Sequence, residues 1–407
     1  MQETRKSAEN DAVPLIERIV DECPRRLAGS DSERTAQQIL REEFEQAGLE
    51  TDFHRFRYNR SVYATFVLHF GLAALASALY FGSPWVALVL HSLVAVSYLG
   101  DSTKTFFLLR RLFPFHQSQN LIGRAPADGE PSKRIVLVAH ADAAFTGKIF
   151  SPEAIRRTSN SPRIPLDLLR KPLRLATLAV ATLVGIDAAA IAAGNSLGLT
   201  IGLVALSIPP LATALFNLEV VLRDEVVPGA NDNLTGCAAI PLLAERLLPQ
   251  KPDDVELVFV ATGSEEAGTG GSIALARDMK RSGEWDPDDT TIVGIDGLTN
   301  GELRYAVEAE VIRMPIADFL VEAIEETRGQ REEWSQVEGH EMQAGATDAL
   351  PFYVQGYPAV TLLCIDPQLG SPRHYHHPED RPENLDPEQF DLSIDYAEAL
   401  VERLMER

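Results

Sequence analysis

Histidine and carboxylate side chains recur in this chain at the ends of apolar runs, where groups of opposite preference for water are delivered to one place. Arg134-Ile-Val-Leu-Val-Ala-His140-Ala-Asp142 is a β-branched apolar run that ends in an imidazole and, two residues on, a carboxylate. A neutral imidazole is a good zinc ligand, and its second ring N–H needs a carboxylate or carbonyl to fix tautomer and orientation. Asp142 is assigned that supporting role. Pro228-Gly-Ala-Asn-Asp232-Asn-Leu-Thr-Gly236 packs Gly, Asn and Asp into a turn that opens a helix, so Asp232 is either a turn or cap residue or a ligand. The apolar run 255–261 leads into Glu265-Glu266 between glycines, and adjacent carboxylates repel unless a cation or a proton relieves them. A third run, 291–296, ends in Asp296, at the strand end where open parallel α/β sheets bind ligands. With His376, these residues have the composition of a two-metal hydrolytic site.

The order His-x-Asp, Gly-Ala-Asn-Asp-Asn-x-x-Gly, Glu-Glu, Ile-Asp and Tyr-His resembles the M28 family of zinc aminopeptidases, loosely over residues 13–60 and well over 117–407. Gly345-Ala-Thr347-Asp348-Ala-Leu-Pro-Phe352 is similar to the family's Ser-Asp-His-x-x-Phe region, and Tyr375-His376-His377-Pro-Glu-Asp380 to its Tyr-His-Thr-x-x-Asp. The resemblance implies an α/β fold, phosphorylase/hydrolase-like, with a mixed sheet flanked by helices. It implies two Zn2+, one held by His140 and Asp296, the other by Glu266 and His376, with Asp232 bridging. Glu265 is then the general base for a water shared by the metals, and the substrate is a peptide cleaved at its N-terminus. Thr347 stands for the family's Ser, Ala349 for its His and His377 for its Thr, which changes substrate contacts and no ligand. Thr347, Asp348 and His377 are expected near the substrate, and His374 and His340 in solvent. Glutaminyl cyclisation on the same fold with one zinc, and a non-catalytic scaffold of the nicalin type, are the competing readings; the complete ligand set disfavours both.

The elements that position these residues come from a chain of 407 residues with 45% apolar content, enough for one large catalytic domain with attachments. A net charge of -22 without a basic stripe argues against nucleic acid as a partner. Cys23, Cys237 and Cys364 are scattered, imply no disulfide framework and fit a reducing compartment, with Cys237 an inert buried thiol. Apolar residues at helical spacing mark a scaffold helix over 13–48. Asp386-Pro387 opens a final helix with Phe390, Ile394, Ala397, Val401 and Leu404 as its buried stripe.

Two apolar hairpins interrupt this framework. The first spans 62–81 and 85–99 around Gly82-Ser83-Pro84; the second spans 175–193 and 197–218 around Gly194-Asn195-Ser196. Their arms approach the ~20 residues that cross a bilayer, so four transmembrane helices are expected, the other reading being a buried helical cap or a dimer interface. Asp187 interrupts the third arm, and Pro209-Pro210 should kink the fourth. The division that follows is 1–60, 117–145 and 225–407 as catalytic domain, 61–116 as first hairpin with an interfacial segment, and 146–224 as an insertion bearing the second. Arg55, Arg57, Arg60, Lys104, Arg110 and Arg111 flank the first hairpin and Arg170, Lys171, Arg174 and Arg223 the second, while both tips are uncharged. The positive-inside rule then places the catalytic domain of an integral membrane protein in the cytoplasm. Residues 1–11 are polar and have no signal-peptide core. The stretch 105–115 is expected to lie in the membrane interface or to pack as a short helix. Peptide and lipid bilayer are the expected partners, and a homo-oligomer is left open.

Overall fold

The structure is a computed structural model that describes residues 12–159, 171–307, 311–342 and 345–407. Helices α1 (Val13–Glu22) and α2 (Asp31–Gln46) lead into strand β1 (Glu50–Tyr58), and an apolar pair, α3 (Val62–Leu79) and α4 (Pro84–Ser102), precedes β2 (His116–Ala125) and β3 (Lys133–His140). A short helix α5 (Pro152–Ser159) and a second apolar pair, α6 (Pro172–Ala193) and α7 (Leu197–Arg223), separate β3 from α8 (Thr235–Leu247). There follow β4 (Val255–Thr262), α9 (Gly270–Ser282), β5 (Thr290–Ile295), β6 (Glu302–Ala306), α10 (Asp318–Arg328), β7 (Gly339–His340), α11 (Ala349–Val354), β8 (Ala359–Ile365) and α12 (Pro387–Glu406).

The strands form one mixed sheet in the order β1-β2-β4-β3-β5-β8-β6-β7. Its centre, β4-β3-β5-β8, is parallel, and antiparallel pairing begins on either side at β2 and β6. Every residue of β4, β5 and β8 is buried, as expected for parallel strands covered on both faces. One face carries α1, α2, α8, α10 and α12, packed through residues such as Ile16, Leu40, Leu243, Leu320 and Leu400. The other carries α9 and α11, packed through Leu275, Trp285, Leu350 and Phe352. This is the expected fold class. Because β4, β3 and β5 are parallel neighbours, their C-terminal ends open on the same edge, which is what assembles the site.

The scaffold expected over 13–48 is two helices rather than one, broken between Glu22 and Asp31, where Ser30 caps α2 by accepting from Glu33 N. The final helix has its foreseen cap, Asp386 Oδ1 accepting from Gln389 N (3.1 Å), and its foreseen buried stripe. All three cysteines are buried and free. The calls on residues 1–11 and on Arg170 lie outside the described residues.

The two apolar pairs are not separate hairpins but one four-helix bundle, α3 against α4 and α7, α6 against α4 and α7. Tyr80 Oη at the first tip donates to Asn195 Oδ1 at the second (2.8 Å). Asp187 is partnered across helices by His91 Nδ1 (2.7 Å), with both side chains wholly buried, and His69 Nε2 meets Ser97 Oγ (2.8 Å). Helix α7 continues through Pro209-Pro210 as one element of 27 residues. All four helices are long and apolar enough to cross a membrane, yet only 22–44% of their apolar windows is buried. On α7, Leu197, Ile201, Val204, Ile208, Leu211 and Leu215 are exposed at alternating spacings of four and three, a continuous outward stripe.

Of the two readings of the stretch 105–115, the structure shows the short packing helix: a single helical turn at Leu109–Leu112 in which Arg110 is wholly buried. Arg110 Nε and Nη2 donate to the Asp101 carboxylate (2.8 and 2.7 Å), Nη1 donates to the Ala267 carbonyl (2.7 Å), and the guanidinium lies 5.2 Å from the Tyr58 and Phe107 rings. Arg110 is therefore no free positive flank of the first hairpin: a planar fork matched to a carboxylate is better satisfied inside than at a lipid interface. Arg110→Met, which strands the Asp101 carboxylate without its cation, should cost about 3–5 kcal/mol in chemical denaturation, and adding Asp101→Leu should recover most of it.

Candidate metal centre

His140, the last residue of β3, presents Nε2 at 3.2 Å from Asp232 Oδ1, 3.6 Å from Asp296 Oδ1 and 3.9 Å from Glu265 Oε2. His376 Nε2 lies 3.4 Å from Asp232 Oδ2 and 3.2 Å from Glu266 Oε2. The two oxygens of Asp232 thus face different imidazoles, with Asp296 and Glu265 also beside His140 and Glu266 beside His376. Ligand atoms of His140, Asp232 and Glu266 also fall within 4.8 Å of one another, so the two halves adjoin. All six expected site residues are brought together.

Each is held through its backbone. Gly229, at φ 63, turns the chain into the Asp232 loop, and a Cβ there would come 2.7 Å from the Asp232 carbonyl oxygen. Asp380 Oδ1 and Oδ2 accept from Asn231 N (2.8 Å) and Asp232 N (3.0 Å). Asn233 Nδ2 donates to the Ile295 carbonyl (2.6 Å), tying that loop to the end of β5; the Asp232–Asn233 peptide is cis. Arg26, wholly buried, donates to the carbonyls of Ala141 (3.0 Å), Pro228 (2.7 Å) and Gly229 (3.2 Å) and so joins β3 to the Asp232 turn. Glu33, equally buried, accepts from Ser264 N (2.8 Å), Gly29 N (2.9 Å) and Ser118 Oγ (2.8 Å) behind the glutamate pair. Burial and the neighbouring Asp142 carboxylate push Glu33 up to about 8.

His376 has φ 50, a left-handed conformation that a non-glycine residue keeps only where its surroundings fix it. The Tyr375 ring stacks on it at 3.9 Å and Phe150 lies at 4.6 Å. Tyr63 Oη, from the first turn of α3, lies 2.9 Å from His376 Nδ1. With Nε2 turned to the carboxylates, Nδ1–H is the donor and the tyrosine oxygen the acceptor. Tyr63, Arg26 and Glu33 were missed in the sequence. Tyr63 begins an apolar run among other aromatics, and the two charged residues act from far along the chain, Arg26 from the loop between α1 and α2 and Glu33 from α2, so nothing local marked them.

Several sequence assignments are corrected. Asp142 does not orient His140 through its carboxylate, which is 3.7 Å from Nδ1; the ring nitrogen is nearer the Asp142 carbonyl oxygen, at 3.3 Å. The Asp142 carboxylate instead accepts from Glu265 N (2.9 Å) and Glu266 N (3.0 Å), because β3 ends at His140 and strand alternation no longer governs the next residues. Thr347 is buried against Thr361 Oγ1 (2.7 Å), and Asp348 accepts from Thr262 Oγ1 (2.7 Å) and Ser272 Oγ (2.5 Å), so both lie behind the site, not toward substrate. His377 accepts from Glu379 N through Nδ1 (3.2 Å) and does not line the cavity, nor does His374. Both are half-buried rather than solvated. His340, expected at the surface, pairs with Ala306 in the sheet and does line the cavity. Cys237 Sγ donates to the His140 carbonyl (3.1 Å), and burial pushes its thiol up to about 12, consistent with an inert role.

The electrostatics fit bound divalent metal. Burial, then the Asp348, Glu266 and Asp296 carboxylates, raise Glu265 well above the usual range despite His140. Burial opposes charge on His140 and His376, yet the facing carboxylates outweigh it, holding His140 well above its ordinary value and His376 up to about 10. A cluster of this kind demands positive charge. Glu266 Oε1 is buried with no hydrogen-bond partner among the described residues, an orphaned acceptor aimed into the cluster. Four carboxylates and two imidazole Nε2 atoms are hard and borderline donors suited to zinc.

Residues 218–401 match peptidase family M28, a span that holds Asp232, Glu265, Glu266, Asp296 and His376. Over that span the chain is similar to M28 peptidases. It is 27% identical over 191 residues to aminopeptidase YwaD of Bacillus subtilis (strain 168), a match covering 43% of this chain and only 37% of that protein's length. Among solved structures, an aminopeptidase from Aneurinibacillus sp. strain AM-1 is similar at a TM-score of 0.58 and 14% identity, covering 98% of this chain and 93% of that one. The Fimbriiglobus ruber glutaminyl cyclase is similar at 0.57 and 14%, covering 99% and 97%. At these identities the structural likenesses show the fold; in this chain Tyr63, from an apolar helix, is brought against His376. Tyr63→Phe removes only the hydroxyl behind His376 and should weaken metal affinity by about 10–100-fold in a chelator competition titration; an unchanged affinity would remove Tyr63 from the site.

Proposed function

We propose that this chain is a membrane-anchored di-zinc aminopeptidase that removes residues from the N-terminus of peptides. The observation that carries the reading is the division of Asp232, one oxygen toward His140 and Asp296, the other toward His376 and Glu266. His140 with Asp296 would hold one zinc and His376 with Glu266 the other, with Asp232 shared. Bound there, the pair would supply Lewis-acid chemistry, polarising a scissile carbonyl and making water nucleophilic near neutral pH. Glu265 lines the same cavity and stands farther from His140 Nε2 than either aspartate. Its raised pKa suits it to take a proton from the attacking water and return it to the leaving amine. Asp142 fixes where that carboxylate begins by holding the Glu265 and Glu266 amides. The aminopeptidase names of YwaD and of the Aneurinibacillus structure support exopeptidase over internal cleavage.

The exposed apolar faces of α3, α4, α6 and α7 support insertion in a bilayer. Each pair returns the chain to the side it left, which keeps the catalytic residues together. Uncharged tips and basic flanks such as Arg111, Arg174 and Arg223 support a cytoplasmic catalytic domain.

Elemental analysis of the purified protein should give two zinc ions per chain at saturation; one tightly bound zinc would favour cyclisation chemistry instead. Glu265→Gln should lower kcat by about 10²–10⁴-fold with zinc content kept, whereas His376→Ala and Glu266→Ala should lose zinc as well. More than about a tenth of the original kcat in Glu265→Gln would refute the general-base assignment. A cysteine introduced at Gly82 should react with an impermeant reagent added outside intact cells and one at Arg381 should not. Release of the protein by carbonate without detergent would show that the bundle is a cap or a subunit interface.

A further inference from the structure

The site opens into a cavity of about 710 Å³, within the usual range for ligand sites and roomy enough for a few residues of peptide. One wall is the metal centre. The opposite wall is built by the apolar bundle: Phe66 of α3, Leu173 and Leu175 of α6, and Pro209, Ala212 and Phe216 of α7. Phe216 lines this cavity and is also 55% exposed, beside Leu211 (46%) and Leu215 (56%) of the outward stripe. The cavity therefore reaches the apolar outer face of the bundle as well as the catalytic domain. Phe216 precedes Glu219, the first charged residue toward this end of α7, by about one turn and Arg223 by two, which at 1.5 Å per residue is roughly 5 and 10 Å along the helix, and Pro209 lies about 10 Å farther in. If Arg223 marks the membrane boundary, this opening faces acyl chains rather than headgroups.

The wall is not uniformly apolar. Thr213 and Asn217, one turn apart, both line it; Thr213 Oγ1 donates to the Pro209 carbonyl (2.9 Å) and Asn217 Nδ2 to the Thr213 carbonyl (2.8 Å). The one donor of Thr213 and one of the two N–H donors of Asn217 are thus committed within the helix, while the side-chain oxygens of both remain acceptors. A hydrocarbon chain has no use for acceptors, whereas a peptide backbone brings N–H groups that need them in an apolar setting.

We propose that the substrate is a peptide with an apolar N-terminal stretch resident in the bilayer, which reaches the metal centre sideways past Phe216 rather than from water. This rests on the peptidase reading above. An apolar side chain leaving lipid for this wall gains no hydrophobic transfer energy, so the advantage of such a substrate comes from its raised effective concentration beside the opening, on the order of tenfold or more.

The test uses full-length protein in phosphatidylcholine vesicles with two synthetic peptides that share their first three residues. One continues into an apolar segment that partitions into the vesicles, the other into a soluble Ser/Glu-rich tail. The apolar peptide should be cleaved with at least about tenfold higher kcat/KM. Co-localisation in the bilayer alone could raise that value, so Phe216→Arg, which charges the opening and leaves partitioning unchanged, should bring the ratio of the two kcat/KM values toward one, with Phe216→Leu keeping the preference and zinc content verifying the fold. Equal kcat/KM for the two peptides would overturn the inference and leave the peptidase reading standing. A preference that Phe216→Arg does not alter would overturn the sideways route. Hydrolysis of neither peptide by zinc-loaded protein would overturn the peptidase reading itself, and this inference with it.

Discussion

Carboxylates brought within a few ångströms of one another repel, and this protein holds them there by their amides rather than by their side chains. Two buried aspartates do most of it in the same way. Asp142 accepts from the successive N–H groups of Glu265 and Glu266, and Asp380 from those of Asn231 and Asp232. Burial pushes both aspartates up to about 7, opposed by the amides that donate to them. With the main chain fixed, the Asp232, Glu265 and Glu266 carboxylates are positioned through their amides, which keeps their oxygens available to a cation. The orphaned Glu266 Oε1 is the visible result.

Much of this was legible in the sequence, for a definite reason. A parallel strand buried on both faces reads as an unbroken apolar run, and a charge at its end cannot be explained by packing, so His140, Glu265, Glu266 and Asp296 stood out against β3, β4 and β5. What was not legible acts across sequence distance. Arg26 reaches the site from the loop between the first two helices, Glu33 from α2, and Tyr63 from a helix whose composition is dominated by apolar bulk. Asp142 meets His140 Nδ1 through its carbonyl, and the second task of its carboxylate, holding the Glu265 and Glu266 amides, lies across sequence distance and had no local mark. His340 was missed because a two-residue strand has no periodicity to read.

The apolar bundle is bound to the site at two depths. Tyr63 touches a ligand directly, and Arg110 links Asp101 at the end of α4 to Ala267, the residue after the glutamate pair. Phe150, from the segment between β3 and α6, packs against His376 between these two connections.

Insertions in an enzyme are commonly regarded as modules that can be cut away to leave a working core. Here the connections run the other way. Excising 61–116 would remove the hydroxyl behind His376 and the guanidinium under the Glu265 loop, and excising 146–224 would remove the ring that holds His376 in its left-handed conformation. No soluble catalytic fragment of this chain can be made by trimming at those boundaries without rebuilding its metal centre. Any version released from its helices would be a different protein at the one place where the chemistry occurs.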